Sequence, residues 1–422
     1  MQIKVFGCKT NTYFAQKWVN ETKIGQQEGV LVASCVVTDQ AKSRWLKFAL
    51  KTIKKLKTNE KLYITGCGTF RNGEVDPAFF DQYVELLPYK DKIILLPEEP
   101  PIAQLLPQNF KLKLSNIRNK IAGAVMTRKT VVIQTGCDNF CTFCLTVQAR
   151  GRHSYRPAEA IIQEIQDYTV SGGKEVVLTG INLGAWGSAS SNDFASGQLP
   201  SLIDRILAET TIERLRISSL GVEFVSDALL ERFKNTRLHA YVHLSVQSGS
   251  DTILKAMGRH YDRATLLKRL KQLRELKRTD GIRIQIGADL IVGFPGETEV
   301  DFADTLSLVE QFGVSQLHAF PFSAHVDKYH VPAGKFPNQI TESVKQDRLH
   351  RLLEAGQVAK VEFEKQNDKV VFQLLLEGRT NGVEFSGWSE NYIALNQENF
   401  VPDPAQIIKS GNIISGIYRT NH

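Results

Sequence analysis

The chain has 422 residues, of which 42% are hydrophobic and 23% are charged, and its formal net charge is +7. A chain of this length predicts two or three domains and a substantial core that needs no disulfide staples. The sequence has neither an apolar stretch behind a basic start nor a run of about 18 uncharged apolar residues, which argues against export and against a membrane partner. We therefore expect a cytoplasmic protein. In that reducing compartment its six cysteines are expected to be metal ligands or reactive thiols, although an even number also allows disulfides.

Residues 1–118 alternate between apolar runs and helical patterns. The predicted strands are "IKVFG", "GVLVAS", "LYITG" and "KIILLP", with helices predicted near residues 12–23, 40–57 and 76–87. This alternation favours a small parallel α/β domain. Cys8, Cys35 and Cys67 follow the first three strands, and the carboxyl ends of parallel strands share one edge of a sheet. The three thiols are therefore predicted to converge on one site, and the alternative is three unrelated buried cysteines.

The positive charge is concentrated in this first segment, which holds 18 Lys and Arg against 11 Asp and Glu. Much of it lies in "QAKSRWLKFALKTIKKLKTNEK", where apolar residues from Leu46 to Leu56 recur at helical spacing. Four lysines share another face of that helix, namely Lys47, Lys51, Lys54 and Lys55. This face is interpreted as a binding surface for RNA phosphate, and the alternative is an ordinary solvated face.

Residues 98–118 contain Pro100, Pro101 and Pro107 and are predicted to connect two domains. The second domain, residues 119–360, repeats a strand and helix pattern six times, which predicts an α/β fold with a partial or full TIM-like parallel barrel. Its predicted strands are "VVIQTG", "EVVLTGI", "RLRISSL", "YVHLSVQ", "RIQIGADLIVGF" and "SQLHAFPFS". A charged helix near 341–365 follows. Residues 366–422 are rich in short β runs and predict a small antiparallel barrel, whose net charge of −2 argues against electrostatic RNA binding.

Three cysteines stand together in "TGCDNFCTFCLTVQARGR", at positions 137, 141 and 144, directly after the first strand of the second domain. Three thiolates can hold three irons of a 4Fe-4S cluster and leave the fourth iron without a protein ligand. A structural zinc site would need a second pair of ligands, which is absent here. A two-cluster ferredoxin would need a fourth cysteine followed by proline, which is also absent.

The spacing Cys137-x3-Cys141-x2-Cys144, with Phe143 before the last cysteine, resembles the radical S-adenosylmethionine (SAM) enzymes. More narrowly, the chain resembles the methylthiotransferases from residue 6 to residue 302, and its last barrel resembles a TRAM domain. The motifs in order are "FGCKTN", "SCVVTDQAKSR", "TGC", "GCDNFCTFC", "ARGR", "HLSVQSGSDTILKAMGR" and "DLIVGFPGETEVDF". "VVLTGINLGAWG", "RLRISSL" and "GWSENYI" resemble the branch that acts on threonylcarbamoyladenosine in tRNA.

The resemblance implies two 4Fe-4S clusters and SAM as cofactors. Cys137, Cys141 and Cys144 would hold the radical cluster, and Cys8, Cys35 and Cys67 an auxiliary cluster that carries the incoming sulfur. A second SAM would supply the methyl group, and the protein would contribute placement and exclusion of water. The implied partners are the anticodon stem-loop of tRNA and an electron donor protein, while the sulfur donor is not identified. The alternatives are the isopentenyladenosine enzyme, a ribosomal-protein methylthiotransferase, and an RNA-binding or redox-sensing protein without turnover.

The resemblance also nominates supporting residues. Gly173 and Glu175 would receive the methionine part of SAM, or would form a plain turn before a strand. Gln247 and Ser248 would reach the ribose, or would cap the strand end, and Asp289 belongs to the fifth strand of the cofactor site. Arg150 and Arg152 would pair with tRNA phosphate, or would be ordinary surface charges. The sequence departs from the family pattern at "LTVQ" after the third cysteine and at "AHVDKYHVPAGKFPNQI", which leaves the exact nucleoside open.

Overall fold

The structure is a computed structural model that describes residues 1–101, 127–325, 331–377 and 384–420. The chain forms two compact units, each built from several stretches of sequence. The first unit takes its residues from Met1–Gly123, Gln134–Ser154 and Ser323–Gly334, and the second from Ala124–Ile133, Tyr155–Phe322 and Lys335–His422. Most of the predicted linker, residues 102–118, lies outside the described residues. The domain boundaries predicted from the sequence stay a prediction.

The first unit contains a four-stranded parallel sheet in the order β1-β2-β3-β6. These strands are β1 (Gln2–Val5), β2 (Gly29–Ser34), β3 (Lys61–Gly66) and β6 (Ile93–Leu95). A short antiparallel hairpin consists of β4 (Phe70–Arg71) and β5 (Glu74–Val75). The helices are α1 (Lys9–Glu21), α2 (Asp39–Ile53), α3 (Phe79–Gln82) and α4 (Thr146–Arg150), and β8 (Gln134–Thr135) precedes α4. The predicted parallel α/β arrangement is confirmed.

The helix predicted near residues 76–87 is wrong in its extent. Only one helical turn, α3, forms there, and a 3₁₀ helix follows it over Val84–Lys92. This 3₁₀ helix contains Pro88, which cannot donate a backbone hydrogen bond and disfavours a regular α-helix around it. The apolar residues of the segment, Phe79, Tyr83 and Leu86, are nevertheless buried in the same core as Trp45 of α2. The segment therefore contributes to packing without forming a long helix.

The second unit contains six parallel strands in two three-stranded sheets, ordered β7-β10-β11 and β12-β13-β14. They are β7 (Arg128–Val132), β10 (Glu175–Thr179), β11 (Arg214–Ile217), β12 (Tyr241–Gln247), β13 (Gln285–Val292) and β14 (Val314–Pro321), and β9 (Ser154–Tyr155) precedes β10. Between them lie α5 (Ala158–Val170), α6 (Leu199–Glu209), α7 (Asp227–Arg232), α8 (Asp251–Met257), α9 (Arg263–Glu275) and α10 (Glu299–Glu310). Two isolated parallel bridges, Leu215 to Leu238 and Leu220 to Leu244, lie between the sheets. The predicted mixed α/β fold with parallel strands is confirmed.

The same unit ends with a long helix and an antiparallel sheet. Helix α11 (Glu342–Lys365) is followed by five strands in the order β17-β16-β15-β19-β18. The strands are β15 (Val371–Glu377), β16 (Ser386–Trp388), β17 (Ala394–Asn396), β18 (Phe400–Pro402) and β19 (Ile413–Tyr418). One hydrophobic core runs through this unit and includes buried residues of both kinds of sheet, such as Val176 and Phe372. No helix among the described residues has the length and apolar character that a membrane span requires.

Candidate cluster-binding site

Cys137, Cys141 and Cys144 lie on the loop between β8 and α4, and the first two are buried. The loop needs glycine at position 136, where φ is +66° and a Cβ atom would stand 1.8 Å from the carbonyl oxygen of Arg152. The backbone N–H groups of Asn139 and Thr146 lie 3.5 and 3.3 Å from the sulfur atoms of Cys137 and Cys144. Both sulfur atoms are therefore within reach of backbone N–H groups of their own loop.

The rim of this loop is aromatic and basic. Phe143 is partly buried, whereas Phe140 has a left-handed backbone conformation with φ of +50° and is 55% exposed. The Arg152 guanidinium lies 5.0 Å from the centre of the Phe140 ring and 3.4 Å from Asp138. Its side chain is 77% exposed, so that it is open to solvent beside the cysteine loop. The role of Arg152 in binding tRNA phosphate stays a prediction.

Cys8, Cys35 and Cys67 share the carboxyl edge of the first unit's parallel sheet. Cys35 directly follows β2 and Cys67 directly follows β3, and their preceding residues Ser34 and Gly66 are paired in the sheet. Cys8 caps the start of α1, just beyond β1. Burial raises the pKa of the Cys67 thiol to about 11 and also raises that of Cys35, and the neighbouring cysteines add to both shifts. The three cysteines thus share the sheet edge that their strand-end positions predicted.

Asn11 holds the ends of two of these strands together. Its amide nitrogen donates to the carbonyl oxygens of Phe6, at 3.0 Å, and Ser34, at 2.7 Å. Gly7 lies beside it with φ of +101°, and a Cβ atom there would come within 2.9 Å of the Cys35 sulfur. Asn11 lies in the "FGCKTN" motif. Its role was missed in the sequence analysis because only the cysteine of that motif was assigned a function.

Arg150 connects the two cysteine loops within the first unit. It ends α4, which begins two residues after Cys144, and its Nε donates to the Cys67 sulfur at 3.1 Å. Its Nη2 donates to the side-chain oxygen of Asn11 at 2.6 Å, and its Nη1 forms an ion pair with Glu98. The side chain is completely buried, so it does not reach the surface where tRNA phosphate would bind. The structure gives this arginine an internal role in place of the predicted contact with RNA.

The donor sets fit iron-sulfur clusters better than other cysteine chemistry. None of the six cysteines is in a disulfide, although both trios lie within described residues. Two separate sets of three free thiols suit clusters with several irons, in which each of three irons is held by one thiolate. The residues present therefore fit 4Fe-4S clusters.

Gly173 and Glu175 lie at the amino end of β10, opposite the carboxyl edge where cofactor sites of parallel sheets form. Glu175 is fully buried and forms ion pairs with Arg128, Arg214 and Arg216. Burial opposes ionisation of Glu175, but Arg216 and the other arginines outweigh it and hold the pKa of this carboxyl well below its usual range. The structure does not bring Gly173 or Glu175 to the carboxyl edge.

The next three predicted residues lie on two neighbouring strands. Gln247 is the last residue of β12, Ser248 directly follows it, and Asp289 lies within β13. Gln247 has a left-handed backbone with φ of +76°, next to an irregularity in the pairing of β12 with β13. Such strain and bulges often re-aim a side chain near a functional site. Ser248 is buried, and its hydroxyl lies 3.2 Å from that of Thr305. Asp289 is partly buried between His243 and His318, two residues that the sequence analysis did not single out.

Helix α2 is amphipathic, as its sequence predicts. Trp45, Ala49 and Ile53 are buried against the first unit's sheet, whereas Lys47 and Lys51 are exposed. Lys54 caps the helix and is also exposed. The lysine face is therefore available to a phosphate backbone, although its binding to RNA stays a prediction.

Comparison with known proteins agrees with this geometry. The family model described as "Radical SAM superfamily" matches residues 131–309. The chain is 30% identical to the threonylcarbamoyladenosine tRNA methylthiotransferase of Thermotoga maritima, covering 93% of this chain and 90% of that protein. It is 31% identical to the tRNA-2-methylthio-N(6)-dimethylallyladenosine synthase of Clostridium perfringens, covering 90% and 87%. A threonylcarbamoyladenosine enzyme of Chlamydia pneumoniae is 32% identical, with 83% and 80% covered. The chain therefore belongs to the radical SAM methylthiotransferase family.

Proposed function

We propose that the protein is a tRNA methylthiotransferase that inserts sulfur and a methyl group at C2 of threonylcarbamoyladenosine next to the anticodon. Membership of the radical SAM superfamily implies one 4Fe-4S cluster and SAM. The proposal of methylthiotransfer, which needs a second cluster, rests on one observation. Two cysteine trios lie in one compact unit, and the buried side chain of Arg150 joins their loops. An enzyme with a single cluster would need only Cys137, Cys141 and Cys144.

The two cysteine trios are proposed to hold clusters with different roles. A 4Fe-4S cluster with one iron free of protein ligands supplies the electron that cleaves SAM to a carbon radical. Cys137, Cys141 and Cys144 would hold this cluster, and the N–H groups of Asn139 and Thr146 would orient the sulfur atoms of Cys137 and Cys144. Cys8, Cys35 and Cys67 would hold an auxiliary cluster that carries the sulfur, and Arg150 would orient the Cys67 ligand.

Six further residues are proposed for the cofactor site. Phe143 on the cysteine loop and Gln247, whose backbone is left-handed at the end of β12, are proposed to contact SAM. Asp289 is accessible, with a side chain 25% exposed. Gly173, Glu175 and Ser248 act through packing in this proposal, because Glu175 and Ser248 are buried against other side chains and the Tyr168 ring packs against Gly173.

The proposed domains complete the enzyme. Residues 1–118 would carry the auxiliary cluster, residues 119–360 would form a partial (β/α)6 barrel, and residues 366–422 would form a TRAM-like RNA-binding domain. The six parallel strands in chain order and the five-stranded antiparallel sheet support this division. The anticodon stem-loop of the tRNA substrate would bind near four exposed residues, Lys47, Lys51, Lys54 and Arg152. An electron donor protein would supply the reductant.

The proposal is tested by nucleoside analysis. The anaerobically reconstituted protein is incubated with SAM, dithionite and tRNA that carries threonylcarbamoyladenosine, and the digested nucleosides are analysed by mass spectrometry. We expect the methylthio form of threonylcarbamoyladenosine, together with 5′-deoxyadenosine. Cys137→Ser should abolish both products, whereas Cys67→Ser should abolish only the methylthio nucleoside.

Two controls separate this proposal from its alternatives. A tRNA that carries isopentenyladenosine is tested in parallel, because the Clostridium perfringens relative bears the name of that activity at similar identity. Modification of this tRNA alone would move the assignment to the sister enzyme. Formation of 5′-deoxyadenosine without modification of either tRNA would exclude tRNA as the substrate, and no cleavage of SAM at all would refute the enzymatic proposal.

A further inference from the structure

Two histidines meet at one carboxylate oxygen inside the second unit. Asp289 lies on β13, and its register partner on β14 is His318, while His243 lies on the other neighbouring strand, β12. The Nε2 atom of His243 lies 3.0 Å from Oδ1 of Asp289, and Nδ1 of His318 lies 3.3 Å from the same oxygen. Among the described residues this is the one group of three metal-binding side chains whose ligand atoms all lie within 4.8 Å.

The distances match the coordination sphere of a single small cation. Nitrogen and oxygen ligands stand about 2.1 Å from a zinc ion, so two of them are about 3.0 Å apart at a right angle and about 3.4 Å apart at the tetrahedral angle. The two observed separations, 3.0 and 3.3 Å, fall within that interval. Two histidines and one carboxylate are also the protein ligands of known catalytic zinc and iron sites that keep positions open.

The groups behind these ligands fix their orientation. The Tyr241 hydroxyl lies 2.7 Å from Nδ1 of His243, the ring nitrogen that faces away from Asp289. The Ser219 hydroxyl donates to Oδ2 of Asp289 at 3.0 Å, which leaves Oδ1 for the two imidazoles. Gly287 leaves room for the side chains of His243 and Tyr241, because a Cβ atom at position 287 would lie 2.5 Å from Nδ1 of His243 and 2.4 Å from the Tyr241 oxygen. Partners of this kind are typical of metal ligands.

The group can be reached from solvent. The His318 side chain is 55% exposed and that of Asp289 is 25% exposed, whereas that of His243 is only 7% exposed. A cation can thus enter from the His318 side and keep water on its open positions.

We propose that His243, Asp289 and His318 bind one divalent first-row metal ion, for which Zn²⁺ is the probe. The ion would keep one or more positions for water or for an oxygen ligand, such as a hydroxyl or carboxylate, of a bound molecule. None of the three proposed ligands is a cysteine. The inference goes beyond the proposed function and does not depend on it, since it concerns metal binding alone.

The test measures zinc in the protein with its clusters reconstituted. The full chain is incubated anaerobically with Zn²⁺, passed through a desalting column, and analysed by inductively coupled plasma mass spectrometry and by X-ray absorption at the zinc edge. We expect about one zinc per chain with a shell of nitrogen and oxygen atoms only. Asp289→Asn and His318→Ala should each lose this zinc, and Tyr241→Phe should weaken its affinity by about 10- to 100-fold.

His350→Ala is the matched control, because this exposed histidine of α11 pairs with Glu354 on the same helix and is not one of the proposed ligands; it should keep the zinc. Circular dichroism shows whether the variants are folded, and His318→Gln replaces His318→Ala if that variant unfolds. Zinc bound equally by wild type and Asp289→Asn would overturn the proposal. A sulfur shell in the absorption spectrum would overturn it too, since the ion would then be held by cysteine.

Discussion

At the residue scale, Arg150 shows how one side chain can join two sites. Its guanidinium has a sulfur atom, an amide oxygen and a carboxylate as partners, and all of them are buried. A buried guanidinium is costly unless its charge is paired, and here Glu98 provides the pairing. The arginine follows one cysteine trio in sequence and contacts a member of the other. We therefore expect it to keep the two cysteine loops in a fixed relation.

Replacing this arginine tests that expectation without any cluster present. Arg150→Gln removes the partner of the buried Glu98, and breaking such a pair costs about 3 to 5 kcal/mol. Urea unfolding of the reduced, metal-free chain, followed by tryptophan fluorescence, measures the effect, since Trp18 and Trp45 are buried in this unit. Arg152→Gln is the control and should cost less than about 0.5 kcal/mol, because Arg152 is on the surface. Equal stability of the two variants would contradict the internal role of Arg150.

At the element scale, helix α2 combines packing and charge on opposite faces. Trp45 forms aromatic contacts with Phe79 and Tyr83, with ring centres 6.5 and 4.8 Å apart, and this anchors the helix on the first unit. Its exposed lysines have no part in that core. The lysine face can therefore be changed with little effect on the fold, which makes it suitable for testing tRNA binding.

The triple variant Lys47→Glu, Lys51→Glu, Lys54→Glu is expected to bind tRNA at least about tenfold more weakly than wild type. Each lost phosphate contact also lowers the slope of log Kd against log salt concentration by about 0.7 to 0.9. Fluorescence anisotropy at several salt concentrations measures both quantities. The control replaces Lys255, Lys268 and Lys271, exposed residues of α8 and α9, with glutamate and changes the net charge equally. If both triple variants lose the same affinity, the effect is one of overall charge and α2 is no binding surface.

At the scale of the whole molecule, a buried ion cluster fastens the last sheet to the parallel strands of the second unit. Glu175 pairs with arginines on β7 and β11, and two of those arginines continue to the antiparallel sheet. Arg214 donates to the carbonyl oxygens of Gln373 and Trp388, and Arg216 donates to that of Ser389. One carboxylate thus offsets part of the positive charge of a group of arginines that holds two sheets together.

Removing that carboxylate should destabilise the second unit. Glu175→Gln leaves the buried Arg214 and Arg216 without this counter-ion, whereas Arg128 keeps its ion pair with Glu377, and we expect a loss of about 3 to 5 kcal/mol in the free energy of unfolding. Glu213→Gln removes an exposed partner of Lys174 and should cost less than about 1 kcal/mol. Urea unfolding followed by circular dichroism compares the two variants. A stable Glu175→Gln protein that has lost affinity for SAM would instead support the cofactor role predicted from the sequence.

The ionised state of Glu175 predicts how the stability of the protein depends on pH. The pKa of Glu175 is far lower in the folded protein than the ordinary value of 4.5. Its contribution to stability is therefore complete above about pH 5 and is lost as the pH falls below the ordinary value toward the folded value. The difference in unfolding free energy between wild type and Glu175→Gln should be constant from about pH 6 to 8 and shrink below about pH 4. A difference that grows on acidification would contradict the ionised state of Glu175.

The sequence predicted the features that depend on neighbours along the chain. Strand and helix alternation predicted the parallel strands of both units, and the positions of Cys8, Cys35 and Cys67 after strands predicted their shared edge. The roles of Arg150 and Glu175 depend on distant partners, since Arg150 and Cys67 are 83 positions apart. A single sequence does not reveal such pairs. His318 was missed for the same reason, because its partner Asp289 is on the neighbouring strand.

The central claim is that one chain carries two clusters, each held by three cysteines. Iron and sulfide analysis with Mössbauer spectroscopy of the anaerobically reconstituted protein tests it most directly. We predict about eight irons per chain in the wild type, and about four in each of two variants, in which either Cys8, Cys35 and Cys67 or Cys137, Cys141 and Cys144 are replaced by alanine. About four irons in the wild type, lost entirely in one variant and kept in the other, would contradict the account.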